Sequence, residues 1–172
     1  MSWSVVPYRP DLEPEWLRCR ALAFADTAYF DDLLARKPRF ERGVELVAED
    51  AGCVVGILDA SLDGSAATIE TLAVLPAHRG AGVATALWQR SSALLAEHGA
   101  ETVEAWTRED AAANAWYRSR GFVEASAHLQ ILDAATSTWF DEADLAREQE
   151  LRRRFERVHR CRAYRRPLEA GR

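Results

Sequence analysis

The chain has 172 residues, 48% hydrophobic and 28% charged, with a formal net charge of −5 at pH 7. That length fits one domain over residues 1–172, large enough to bury roughly 70% of its unfolded surface. The composition excludes a disordered or fibrous chain, and the acidic balance argues against a general nucleic-acid binder.

No apolar run approaches the roughly 20 residues that cross a bilayer, so no membrane association is expected, and the opening MSWSVVPYRP lacks a signal-peptide pattern. Cys19, Cys53 and Cys161 share no metal-ligand spacing and read as small, reduced core residues of a cytoplasmic protein. His78, His98, His128 and His159 are not paired either, and no metal is expected.

In chain order, WSVVPYRP reads as a short first strand. LEPEWLRCRALAFADTAYF (12–30) predicts a helix, with Pro14 in its first turn and Leu17, Ala21, Phe24 and Ala28 on its apolar face. DDLLARKPRFERG (31–43) is either a second short helix or a loop, and it holds Lys37, the one lysine among 22 basic residues. VELVAEDAGCVVGILDASL reads as a strand hairpin turning at Asp50–Ala51–Gly52, and Asp63–Gly64 turns the chain into a strand over 68–75. A helix over 83–98 follows, burying Ala84, Leu87, Trp88, Ser91, Leu94 and Leu95, and then a strand over 102–107. Asp110 is placed to cap a short helix over 111–120 that Gly121 ends. EASAHLQIL is the next strand, followed by a helical stretch over 139–156 and a last strand over 157–167. The arginines of RRRFERVHRCRAYRR (152–166) are interleaved with Glu156 and preceded by Glu148 and Glu150, which suits an exposed helix–strand face better than a polyanion track. The strand–helix–strand crossover at 68–107 requires parallel pairing beside the hairpins, so the sheet is mixed and the fold α/β.

The informative stretch is PAHRGAGVATALW (76–88), where a buried strand, a glycine turn and an amphipathic helix meet. This arrangement aims free backbone N–H groups at one point and binds anions, phosphates above all. Gly80 and Gly82 allow close backbone approach and positive φ, and Thr85 adds a hydroxyl in the first helical turn. A dinucleotide fingerprint does not fit, because Thr85 occupies the third glycine position and the strand–helix units stop after one crossover.

RGAGVA, with Arg79, Gly82 and Ala84, and WYRSRGF, a tyrosine (Tyr117) followed four residues later by Gly-Phe, resemble the two signatures of the GCN5-related N-acetyltransferases (GNAT). The resemblance covers residues 44–132 and includes the hairpin LVAEDAGCVVG. It implies an acyl-CoA acyltransferase fold: a mixed, mostly antiparallel sheet flanked by helices and splayed at a central parallel pair, the strands at 68–75 and 102–107. It further implies acetyl-CoA as co-substrate, moved to a small-molecule or peptide amine by direct attack on the thioester. The cofactor-binding set it implies is Leu72, Ala73 and Val74, whose strand backbone pairs with the pantetheine, the loop Arg79, Gly80, Ala81, Gly82, Val83, Ala84 and Thr85, and Asn114 and Tyr117. Arg79 reads as either a phosphate contact or a surface charge.

Transfer to an amine needs a base for the incoming ammonium and an acid for the leaving thiolate. The resemblance places Tyr117 as the acid. Glu70 is the candidate base, directly or through a water; strand alternation puts it with Leu72 and Val74 unless a bulge intervenes, and burial or a structural hydrogen bond is the rival reading. Glu104 is the reserve. Asp26, Tyr29, Asp31 and Asp32 stand where the family builds its acceptor wall, and Trp106 lies beside the cleft so implied. One departure is Asp110 where relatives carry asparagine, which keeps the cap but puts a direct CoA contact in doubt. A catalytically silent acyl-CoA-binding regulatory module is the alternative function, and a homodimer is left open.

Overall fold

The computed structural model describes residues 3–133, 137–140 and 145–168. The chain divides into two compact units, residues 1–103 with 167–172, and residues 104–166.

In the first unit, β1 (Trp3–Pro7), β2 (Gly43–Asp50), β3 (Cys53–Asp63) and β4 (Ala66–Val74) form an antiparallel meander in that spatial order. Two register shifts break the ladders. One leaves Val55 as an extra residue on β3, and the other leaves Glu70 as an extra residue on β4, between the pairs Asp59–Thr71 and Ala60–Ile69.

A single 3-10 turn, Pro10–Leu12, leads into α1 (Glu13–Phe24). This helix is shorter than the expected 12–30 because Thr27 donates both its hydroxyl, at 2.9 Å, and its N–H, at 3.0 Å, to the Phe24 carbonyl, closing a turn in place of the next helical bond. Its buried face also differs from expectation. Leu12, Trp16, Cys19 and Ala23 pack on Val47, Val54, Ile57 and Ala73, while Leu17 and Phe24 only flank this cluster. The period was right and the face was not, because α1 carries apolar residues on more than one side, and Leu22 is left exposed. Residues 31–42 form no second helix.

The helix α2 (Val83–Glu97) buries Val83, Leu87, Trp88, Ser91 and Leu95; Ala84 and Leu94, expected at the core, are half-buried. It lies close on β3 at Gly56, where a Cβ would stand 2.7 Å from Val83 Cγ1 and 3.2 Å from Leu87 Cδ1. Gly56 faces α2 and its neighbour Ile57 faces α1, so the two helices cover opposite faces of this meander.

The segment between α1 and β2 turns one charge inward. The side chain of Lys37 is 3% exposed, and its ammonium lies 4.6 Å from the Tyr8 ring, 5.2 Å from Trp16 and 5.7 Å from Phe40. It pairs with Glu45 and stands 3.1 Å from Asp59 Oδ2. Burial pushes the Asp59 carboxyl up to about 7, with Lys37 opposing the shift.

The second unit holds most of β5 (Thr102–Thr107), then α3 (Ala111–Ser119), β6 (Val123–Leu132), β7 (Ser137–Phe140), α4 (Leu145–Arg154) and β8 (Val158–Pro167). Its strands run in the order β5-β8-β6-β7, with β6 antiparallel to both neighbours. Trp139 and Phe140, expected to open a helix, belong instead to β7, paired with Gln130 and Leu129; residues 141–144 of that expectation lie outside the described residues. Leu129, Ile131, Leu151 and Val158 form the core here. Arginines of 152–166 meet carboxylates: Arg152 and Arg160 reach Glu148 at 2.8 and 2.6 Å, Arg162 reaches Glu124 at 3.5 Å, and Arg165 reaches Glu104 at 2.6 Å.

Of the three cysteines, none is in a disulfide, and Cys19 and Cys161 are buried as expected. Burial pushes their thiols up to about 12 and about 11, which makes them poor nucleophiles. Cys53 corrects the core expectation: it opens β3 just after the turn and is exposed.

Candidate active site

In the first unit, β4 ends at Val74 and a 3-10 turn, Pro76–His78, redirects the chain, with His78 N–H donating to the Leu75 carbonyl at 2.8 Å. Gly80 (φ 77°) and Gly82 (φ 84°) then take left-handed conformations, and Gly82 opens α2. A Cβ at either glycine would meet no atom within 4 Å. These glycines are therefore required by backbone shape and not by crowding at the Cβ position. The first N–H groups of a helix have no intrahelical partner, and here no side chain caps them and no acidic residue sits in the first turn. Ala81 is exposed, Ala84 and Thr85 are half-buried, and Val83 faces the sheet. A helix start of this kind is an anion-accepting geometry.

Leu72, Ala73 and Val74 pair with Leu58, Ile57 and Gly56 of β3. Glu70 is the bulged residue of β4, and its carboxylate is exposed and accepts a 2.6 Å bond from the Ser61 hydroxyl. The bulge that sequence alternation left open is present, and so is a structural hydrogen bond.

The Arg79 guanidinium is turned toward the end of α1. It forks onto Asp26 at 2.7 and 2.8 Å and donates to the Ala23 carbonyl at 2.7 Å, while Nε points at the Val74 carbonyl at 3.4 Å. The bonds from Arg79 hold the Asp26 carboxyl below its ordinary value. Asp32 is likewise engaged, by Arg20 at 2.8 Å, and Tyr29 lies 5.2 Å from the Phe24 ring. Two carboxylates expected to face a cationic acceptor thus already meet arginines.

In the second unit, Asp110 caps α3 as expected, accepting the Ala113 N–H at 2.9 Å. The tyrosine-to-Gly-Phe spacing has a physical origin at the other end of the helix. Phe122 N–H bonds back to the Tyr117 carbonyl at 3.1 Å and Gly121 N–H to Arg118 at 3.0 Å, with Gly121 at φ 80°. This is a Schellman cap, and its customary apolar contact is the Tyr117–Phe122 ring pair, 5.3 Å apart. The Tyr117 ring also stacks on Tyr164 at 5.5 Å and 16°.

Asn114 is buried and its amide is committed to protein. It donates to the carbonyls of Arg108 (3.2 Å) and Asp110 (2.6 Å) and accepts the Tyr164 hydroxyl at 2.7 Å. Burial raises the Tyr164 phenol above its ordinary value, keeping it a donor. Tyr164 escaped sequence reasoning, since its only local signal is an arginine-rich strand 50 residues from Asn114. Glu104 accepts from Trp106 Nε1 and from Arg165, both at 2.6 Å, and Trp106 packs at 4.9 Å on His128 and 6.2 Å from Trp139. Among the described residues no group of three or more His, Cys, Asp or Glu could hold a metal, and no helix is long and apolar enough to cross a membrane.

A sequence profile described as the acetyltransferase (GNAT) family matches residues 8–122. The chain belongs to this family, whose members are acyltransferases that use acetyl-CoA. Among solved structures, it is similar to the ribosomal-protein-S18-alanine N-acetyltransferase from Escherichia coli, with a TM-score of 0.71 and 17% identity over 99% of this chain and 96% of that one. It is similar to the ribosomal-protein-alanine N-acetyltransferase from Brucella melitensis, with a TM-score of 0.69 and 18% identity over 96% and 99%. A tandem GNAT protein from the clavulanic acid biosynthesis pathway gives a TM-score of 0.63 and 22% identity over 78% of this chain and 49% of that one. No curated protein matches in sequence. These likenesses bear out the expected fold class, mixed α/β with a mostly antiparallel sheet and flanking helices.

Proposed function

We propose that this enzyme is an acetyl-CoA-dependent N-acetyltransferase acting on the amine of a small molecule or peptide, in the cytoplasm, where its free cysteines stay reduced. The observation that carries this reading is the uncapped start of α2 behind two positive-φ glycines. The backbone N–H groups of Gly80–Thr85 take the pyrophosphate, and the Thr85 hydroxyl adds a donor. Leu72, Ala73 and Val74 guide the pantetheine arm with their strand backbone.

Acetyl-CoA supplies the activated thioester. The amine gives up a proton to Glu70, directly or through a water, and its lone pair forms the N–C bond as the C–S bond breaks. Tyr117 gives a proton to the departing sulfur and regains one, through water, from the newly acylated nitrogen, while Glu70 passes its proton to solvent, so the products are an amide and neutral CoA thiol. The Schellman cap and the Tyr164 ring place Tyr117, and Asn114 supports it by fixing Tyr164 and the start of α3.

The test is calorimetric titration with acetyl-CoA, followed by free-thiol release across a panel of amines. One-to-one binding with amine-dependent thiol release is expected. Binding without release for any amine would favour the silent acyl-CoA-binding module, and no binding would leave the family name describing only the fold.

A further inference from the structure

We propose that Arg79 is a positioning residue and not a phosphate ligand: with Asp26 it clamps the glycine turn to the end of α1, so that acetyl-CoA meets a loop already in shape. The proposal rests on the reading above, in which Gly80–Thr85 hold the donor.

Three observations converge on it. First, the guanidinium is spent elsewhere. A fork closed on the two Asp26 oxygens, with further N–H groups on Ala23 and directed at Val74, leaves no fork to offer a pyrophosphate. Second, α1 needs the charge. The Ala23 carbonyl belongs to the last turn, whose carbonyls have no helical partner, and that turn holds no basic residue of its own. Arg79 supplies the missing cation from 56 positions away in sequence. Third, the turn needs an anchor. Gly80 and Gly82 bring no side chains, and glycine loses more backbone freedom on ordering than any other residue. Without an anchor that ordering falls due when the ligand binds, and affinity drops. Asp26 therefore sets donor affinity without touching the donor.

A double-mutant cycle separates the clamp from a direct ligand. Acetyl-CoA is titrated into wild type, Arg79→Ala, Asp26→Ala and the double variant at two salt concentrations, with amide hydrogen exchange of residues 80–85 followed in ligand-free protein. Both side chains are more than 40% exposed, so each variant keeps its fold, and a melting curve checks this. The clamp predicts that each single variant weakens binding by about three- to tenfold, that the double variant is no weaker than either single, and that loop exchange accelerates in all three. A phosphate ligand predicts the opposite pattern. Arg79→Ala alone would weaken binding and reduce its salt dependence, while Asp26→Ala would leave affinity unchanged or raise it by freeing the arginine. That result, or unchanged loop exchange, overturns the proposal. Wild type that binds no acetyl-CoA defeats the functional reading and the donor half of this proposal together; accelerated exchange would then uphold only the clamp.

Discussion

The glycine turn before α2 and the aromatic cluster under α3 solve the same problem with different materials. The turn is made of backbone: two left-handed glycines, the bare N–H groups of a helix start, and beside them Arg79, bonded to the distant Ala23 and Asp26. The cluster is made of side chains, with Tyr117 stacked on Tyr164, Tyr164 bonded to Asn114, and Asn114 bonded to two carbonyls. A backbone site tolerates changes of side chain but not of φ. A side-chain site tolerates backbone adjustment but not the loss of a buried partner.

The largest effect is expected where the cluster meets the chemistry. Tyr117→Phe keeps the ring contacts and removes the hydroxyl proposed as proton donor, so turnover should fall by roughly 10- to 10⁴-fold while acetyl-CoA affinity is nearly unchanged. A stopped assay of thiol release beside calorimetry reads both, and unchanged turnover removes Tyr117 from the chemical step.

Next comes its support. Tyr164→Phe preserves the stack but leaves the Asn114 carbonyl oxygen buried without its donor, which should lower stability by about 1–3 kcal/mol. Thermal unfolding should show a drop of several degrees, and a variant that melts like wild type would mean that Asn114 finds another partner.

The smallest effect tests the backbone side of the contrast. Gly82→Ala adds a methyl group that meets nothing, at a φ of 84°. The left-handed backbone disfavours it by roughly 1–2 kcal/mol. In an exposed loop that strain is relieved by changing shape, so the expected loss is about tenfold in acetyl-CoA affinity with little change in melting temperature. Equal affinity would show that the turn binds through something other than its φ.

The same contrast governs what could be read from the sequence. The strand–glycine–helix junction was legible because a positive φ shows itself as glycine and a buried helix face as a repeat. The cap at Asp110 and the stop at Gly121 were legible for similar local reasons. Tyr164, the Arg79–Asp26 fork and the Lys37 cage were not, since each joins residues that only the fold brings together. The face of α1 differs from expectation because Leu17, Ala21 and Phe24 offer a second apolar stripe, and only the sheet beneath decides for Trp16 and Cys19. β7 was missed because four residues carry too little pattern to compete with the helix that follows.

Lys37 has one more consequence. An enzyme that acetylates amines works in the presence of its own amines at every turnover. The chain's one lysine is 3% exposed, set against the carboxyl groups of Glu45 and Asp59 and walled by three aromatic rings, while the other 21 basic residues are arginines, whose guanidinium groups are not acceptors for this chemistry. Copies of the protein meeting one another with loaded donor offer no lysine side chain to modify. The chain thus keeps its one lysine ammonium out of reach behind Tyr8, Trp16 and Phe40.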